Sequence, residues 1–168
     1  KERNSPNAYL GDRQTEWLKR ELLKCEGPFV IISSGTMWSD YISNGKDSWG
    51  VFDPAGREEL FSFIEKNKIP APLLICSDRH GARGFRIPRP SGYQFHEFEI
   101  GTLGGMTGPG AMAKDSSTQM FGRIRIKAFG EFEFDTAAAD PQMTFRLVDE
   151  TGQVLEEITS RQSELTPK

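Results

Sequence analysis

Two short runs of uninterrupted apolar residues, Phe29-Val30-Ile31-Ile32 and Leu73-Leu74-Ile75-Cys76, do most to limit what this chain can fold into. A run without polar alternation suits a strand covered on both faces, and such a strand needs layers above and below it. Each run follows a segment with helical signals. Asp12 stands as an N-cap for a helix reaching about Lys24, with Trp17, Leu18, Leu22 and Cys25 on one stripe. Gly27-Pro28 ends that helix. Asp53-Pro54 opens a second one, with proline in the first helical position, and Leu60, Phe61 and Ile64 are its buried face up to about Asn67. The stiff connector Ile69-Pro70-Ala71-Pro72 then leads into the second strand. This α-β-α-β order predicts an α/β fold, a sheet layered with helices, with ligand chemistry at the C-terminal ends of the strands.

Alternation of helix and strand extends over residues 9–100, closing with a strand at Phe95–Ile100. Residues 101–120 read as a glycine-rich connector, with five glycines between Gly101 and Gly110 and no G-K-[ST] ending of a phosphate-binding loop. Residues 121–160 change character to antiparallel strands: Gly122–Phe129, Met143–Val148 and Val154–Ile158, the last two around the turn Asp149-Glu150-Thr151-Gly152. At 168 residues this is one domain's worth of chain. Its net charge of -3 argues against a generic polyanion binder, and no nucleic-acid partner is expected. No apolar stretch is long enough to span a membrane.

Chemistry concentrates where the second apolar run breaks into Ser77-Asp78-Arg79-His80-Gly81. An aspartate and a histidine spaced i, i+2 at the end of a buried strand can both turn toward a metal or a phosphate. Arg79, Arg83, Arg86 and Arg89 follow, with no acid between Asp78 and Glu97. A metal ligand beside dense positive charge suits an anionic substrate such as a phosphate ester. The aromatic residues Trp38, Tyr41 and Trp49 lie in the long loop after the first strand, facing substrate or packing the loop on itself. His96 sits in a strand-like alternation with no second ligand at metal spacing. Cys25 and Cys76 read most simply as unpaired core residues, with a disulfide between them left open. A G-x-S-x-G serine elbow and zinc-finger cysteine pairs are both absent from the sequence.

Five blocks carry a resemblance. They are Leu10-Gly11-Asp12-Arg13-Gln14-Thr15-Glu16-Trp17-Leu18, the strand Phe29–Ser33, Lys46-Asp47-Ser48-Trp49, Arg57-Glu58-Glu59-Leu60, and Ser77-Asp78-Arg79-His80. Their order resembles the C-terminal part of the alkaline phosphatase D-like (PhoD-like) branch of the calcineurin-like metallophosphoesterases, from about Tyr9 to Glu99 and again at Phe121-Gly122. The resemblance implies a layered αββα sandwich closed by a C-terminal antiparallel β-hairpin, and metal-dependent hydrolysis of phosphate mono- or diesters. In this chain it implies His80 as a metal ligand, with Asp78 as a further ligand or its support. Asp47 matches a recurring D-x-W block of the family, as a loop anchor or a metal ligand. Arg79, as the catalytic arginine, and Arg83 are candidates for holding substrate phosphate, because guanidinium forks match phosphate oxygens, with Trp38 and Trp49 as substrate-binding aromatics of the long loop. Divalent or mixed-valence Fe, Ca, Zn or Mn would be the cofactor, and the periplasm or the exterior the setting. Ser77 stands where the family usually has glycine. The family's upstream Asp-rich, G-D-x-x-D and G-N-(H/D) blocks do not occur in the sequence. Two histidines cannot furnish a two-metal centre, so the expectation is a C-terminal portion, with the N-terminal half of the same enzyme as its partner. The rival expectation is a non-catalytic module that uses the arginine cluster to bind an anion or a protein.

Overall fold

The computed structural model describes residues 9–42, 48–107 and 116–168. Helix α1 (Asp12–Leu23) and strand β1 (Val30–Ser33) come first, then a short helix α2 (Trp49–Phe52), helix α3 (Pro54–Lys66) and strand β2 (Pro72–Cys76). Strands β3 (Ala82–Pro88), β4 (Gln94–Glu99), β5 (Gln119–Arg123), β6 (Ala128–Asp135), β7 (Gln142–Asp149) and β8 (Val154–Arg161) follow, with a terminal turn of helix α4 (Gln162–Leu165). The fold is mixed α/β, as expected.

Local chemistry sets the helix starts. Asp53 caps α3 through Oδ1, which accepts from the Gly56 amide at 3.0 Å, while Oδ2 accepts from the Tyr9 amide at 3.2 Å. One buried carboxylate therefore starts the helix and ties down the chain before α1. Leu60, Phe61 and Ile64 are buried on α3 as predicted. The N-cap of α1 is Gly11 rather than Asp12, and the Gln14 side chain reaches back to its amide. The expected stripe on α1 is only partly realised. Leu22 is buried, whereas Trp17 is 54% exposed and Cys25 lies at the surface.

Five strands form one sheet in the order β1-β2-β4-β3-β5, with β1, β2 and β4 parallel and β3 antiparallel to both its neighbours. Strand β3 is new relative to the expectation, which left the arginine-rich segment without regular structure. The helices cover one face, where Val30, Ile32, Leu74, Ile87 and Phe95 meet Leu22, Leu60, Phe61 and Ile64. Phe61 and Phe95 stack at 4.1 Å.

The opposite face packs on a second sheet, β6-β7-β8, joined by consecutive antiparallel pairs. Phe98 and Phe121 from the first sheet meet Phe145 from the second at 4.7 and 5.3 Å. The layers are thus helix, sheet, sheet. The expected hairpin is a three-stranded meander, and the expected strand Gly122–Phe129 is two strands that belong to different sheets. Alternating apolar residues mark a strand, but they do not say where it leaves one sheet for the other.

Candidate functional site

Strands β1 and β2 run parallel, so their C-terminal ends open on the same side. Ser34 continues β1, its amide donating to the Ile75 carbonyl at 2.9 Å, and Ser77 to Gly81 follow β2. Asp78 and His80 both adopt left-handed backbone conformations, with φ of 81° and 54°. Aspartate and histidine visit this region more readily than most residues, yet each such position still stores strain of order 1–3 kcal/mol. The cost falls on the two residues singled out as ligands. Both side chains are exposed at the end of a buried strand.

His80 is not free to rotate. Its Nδ1 lies 2.8 Å from the Met106 carbonyl oxygen. A carbonyl only accepts, so in this contact Nδ1 carries the proton, and in the uncharged ring Nε2 is the nitrogen left with a lone pair. Ligand histidines are commonly oriented in this way. The anchor comes from the glycine-rich segment after β4, which the sequence reads as a connector. Arg79 is half-buried, and its Nη2 donates to the Ile42 carbonyl at 3.3 Å in the loop after β1.

The other arginines disperse. Arg83 lies within the first sheet, 0% exposed, its Nη1 donating to Glu99 Oε2 at 2.5 Å. Burial corrects its placement among substrate-binding residues, because solvent does not reach it. Arg86 stands beside His96, and Arg89 is paired with Glu58 and Glu65 on α3. Two of these arginines, Arg83 and Arg89, with no nearby acid in sequence, have met acids in space. The arginine cluster behind the rival reading does not assemble.

Trp38 and Trp49 are buried as well. They are 2% and 5% exposed and stack on each other at 4.6 Å with planes 10° apart. Trp49 Nε1 donates to Ser34 Oγ at 3.0 Å, so the pair closes the loop over the sheet. The pair packs within the loop and also lines the cavity along β1. Asp47 lies outside the described residues. Cys25 and Cys76 are both free, one at the surface and one buried. A cavity of about 780 Å³ runs along β1 between α1 and the loop, with Trp17, Ile31, Ser34 and Thr36 in its walls and Asp78 at one end.

Sequence reasoning passed over two acids. Glu97 and Glu99 of β4 are fully buried on the helix-covered face. Glu97 accepts from the Trp38 amide at 2.5 Å and from the Ser39 hydroxyl at 2.5 Å, and Cys76 Sγ lies 3.4 Å away. Burial raises the Glu97 carboxyl above its ordinary range against the pull of these donors. Burial also pushes Glu99 up to about 7, opposed by Arg83, and lifts the Cys76 thiol well above its usual value. The alternation Phe95-His96-Glu97-Phe98-Glu99 by itself predicts solvent-facing acids, so no local signal marked their burial.

Among the described residues no three His, Cys, Asp or Glu side chains converge to hold a metal. A carboxylate and an imidazole with an Nε2 lone pair, on one strand end, fit as part of a metal's ligand set. They do not complete it. No described helix is long and apolar enough to cross a membrane.

Residues 1–166 match the family model described as PhoD-like phosphatase. The fold is similar to a solved structure of PhoD, with a TM-score of 0.61 and 14% identity over 88% of this chain. The matched region is 35% of that longer chain, so this chain spans about a third of its length. Among curated protein sequences there is no match.

Proposed function

Because the chain belongs to the PhoD-like phosphatase family, we propose that it forms one wall of a metal-dependent phosphate-ester hydrolase centre. The observation that carries this reading is the fixed ring of His80, with Nδ1 committed to Met106 and Nε2 left to bind a cation beside Asp78. Iron, calcium, zinc or manganese are the candidates for that cation. When bound, such an ion supplies Lewis acidity toward a phosphoryl oxygen and toward water. Asp78 shares the ion or supports His80. Arg79, whose Nη2 donates to the Ile42 carbonyl at the site's margin, is the candidate to hold a phosphoryl oxygen.

Two groups do not make a phosphoesterase centre, and the remaining ligands come from the N-terminal half of the same enzyme. The first sheet offers that half a place. Strand β1 is its edge, Ile31 is 50% exposed there, and Trp17 of α1 stands exposed beside the same cavity. The periplasm or the exterior is the proposed setting.

The test compares this chain, the full-length enzyme, and full-length His80→Ala on an aryl phosphate with added metal. We expect negligible turnover from the chain alone and chelator-sensitive turnover from the full-length enzyme. His80→Ala should lose bound metal and nearly all activity while melting cooperatively. Full metal content and normal turnover in His80→Ala would overturn the assignment.

A further inference from the structure

Glu97 and Glu99 are two residues apart on β4, so both project from the same face, and that face is covered by the helices and by the loop after β1. Each engages a different loop. Glu97 gathers the amides of Trp38 and Ser39 and the Ser39 hydroxyl, all from the loop after β1. Glu99 holds Arg83, and the Arg83 guanidinium lies directly against Gly81. A Cβ at Gly81 would meet Arg83 Nη1 at 2.3 Å and Cζ at 2.6 Å, so the turn rests on the guanidinium with no room for a side chain. Gly81 is the residue after His80, whose backbone is in the left-handed region.

The pair is not an economical way to fill a core. A buried ion pair gains little over apolar residues of similar volume, because both charges leave water. Among the described residues Glu99 Oε1 is buried without a partner at hydrogen-bond geometry, while the Gly81 amide acts on the same carboxyl. What the pair does supply is a rigid planar group beneath a strained turn.

We infer that Glu97 and Glu99 are positioning residues, Glu97 for the loop after β1 and the Glu99–Arg83 pair for the turn that presents His80. This rests on His80 being the metal-facing residue, but the experiment reads the turn itself. Nitrogen-15 spectra of the His80 ring in the metal-free chain report its tautomer, and amide hydrogen exchange reports the other loop.

In Glu99→Gln the guanidinium loses its counter-charge. The His80 ring should pass from a single Nδ1–H form to averaged nitrogens, while exchange at Trp38 and Ser39 stays within about two-fold of wild type. Glu97→Gln should reverse the pattern, with Trp38 and Ser39 exchanging at least about ten-fold faster and His80 unchanged. The double variant Arg83→Met/Glu99→Leu buries no charge and should regain the wild-type melting temperature, yet keep the averaged His80 ring. It also reads the signal if Glu99→Gln does not fold. A wild-type His80 spectrum in the double variant would reduce the pair to core filling and overturn the inference. Metal uptake by His80→Ala would overturn the ligand assignment alone, leaving these spectra to stand.

Discussion

The ring of His80 and the carbonyl of Met106 are twenty-six residues apart in the chain and 2.8 Å apart in space. This contact fixes which nitrogen is available. The uncharged ring should show the Nδ1–H tautomer, the minority form of a free histidine. Adding Zn or Mn should shift the Nε2 signal and leave Nδ1 protonated. An Nε2–H ring, or a metal-induced change at Nδ1, would remove the anchor from the site.

Asp78 carries a backbone cost at a proposed ligand position. Its φ of 81° is a conformation that glycine adopts freely. Asp78→Gly should therefore stabilise the chain by about 0.5–1 kcal/mol, strain relief outweighing the loss of backbone entropy. Metal affinity in the full-length enzyme should fall in the same variant. Urea titrations beside metal analysis check both halves, and a destabilised Asp78→Gly would contradict the strain.

Trp49 acts through packing. It stacks on Trp38, touches Tyr9 at 4.9 Å between ring centroids, and donates to Ser34. Trp49→Ala should cost about 3–5 kcal/mol in denaturant unfolding. Trp49→Phe should cost less, with loss of the hydrogen bond contributing about 1 kcal/mol. A variant that weakens substrate binding without a stability loss would restore the substrate-facing role.

His96 predicts a pH dependence. Burial, reinforced by Arg86 and partly offset by Glu164, lowers its pKa to about 4 from an ordinary 6.5. Between those values the unfolded state binds more protons than the folded one, so stability rises with pH across the window and falls as pH drops toward 4. The contribution is at most about 3 kcal/mol. His96→Gln should lose this part of the slope, its stability relative to wild type improving as pH falls from 7 to 4.5. Parallel urea curves for the two proteins at both pH values would exclude it.

Much of the architecture is local, and local signals carried it. The run Pro72–Cys76 is a strand covered on both faces, as its continuous apolar residues predict, whereas Val30–Ser33 is an edge strand with Ile31 half-exposed; α3 begins at Asp53-Pro54 because a cap and a fixed φ start helices. The D-x-H at the end of β2 was legible for the same reason. Where a buried strand stops and polar residues begin is written along the chain.

The partners of those residues are not written there. Arg83 and Glu99 are sixteen residues apart and belong to neighbouring antiparallel strands, so only the register that places Arg83 opposite Glu99 turns an arginine of apparent solvent character into a buried pedestal. The same holds for Glu97 beneath Trp38 and for Met106 behind His80. Residue type and spacing determined which groups could do chemistry. Strand register and loop closure, set by long-range burial, decided which of them face solvent, which are spent holding others in place, and which nitrogen of His80 keeps a lone pair.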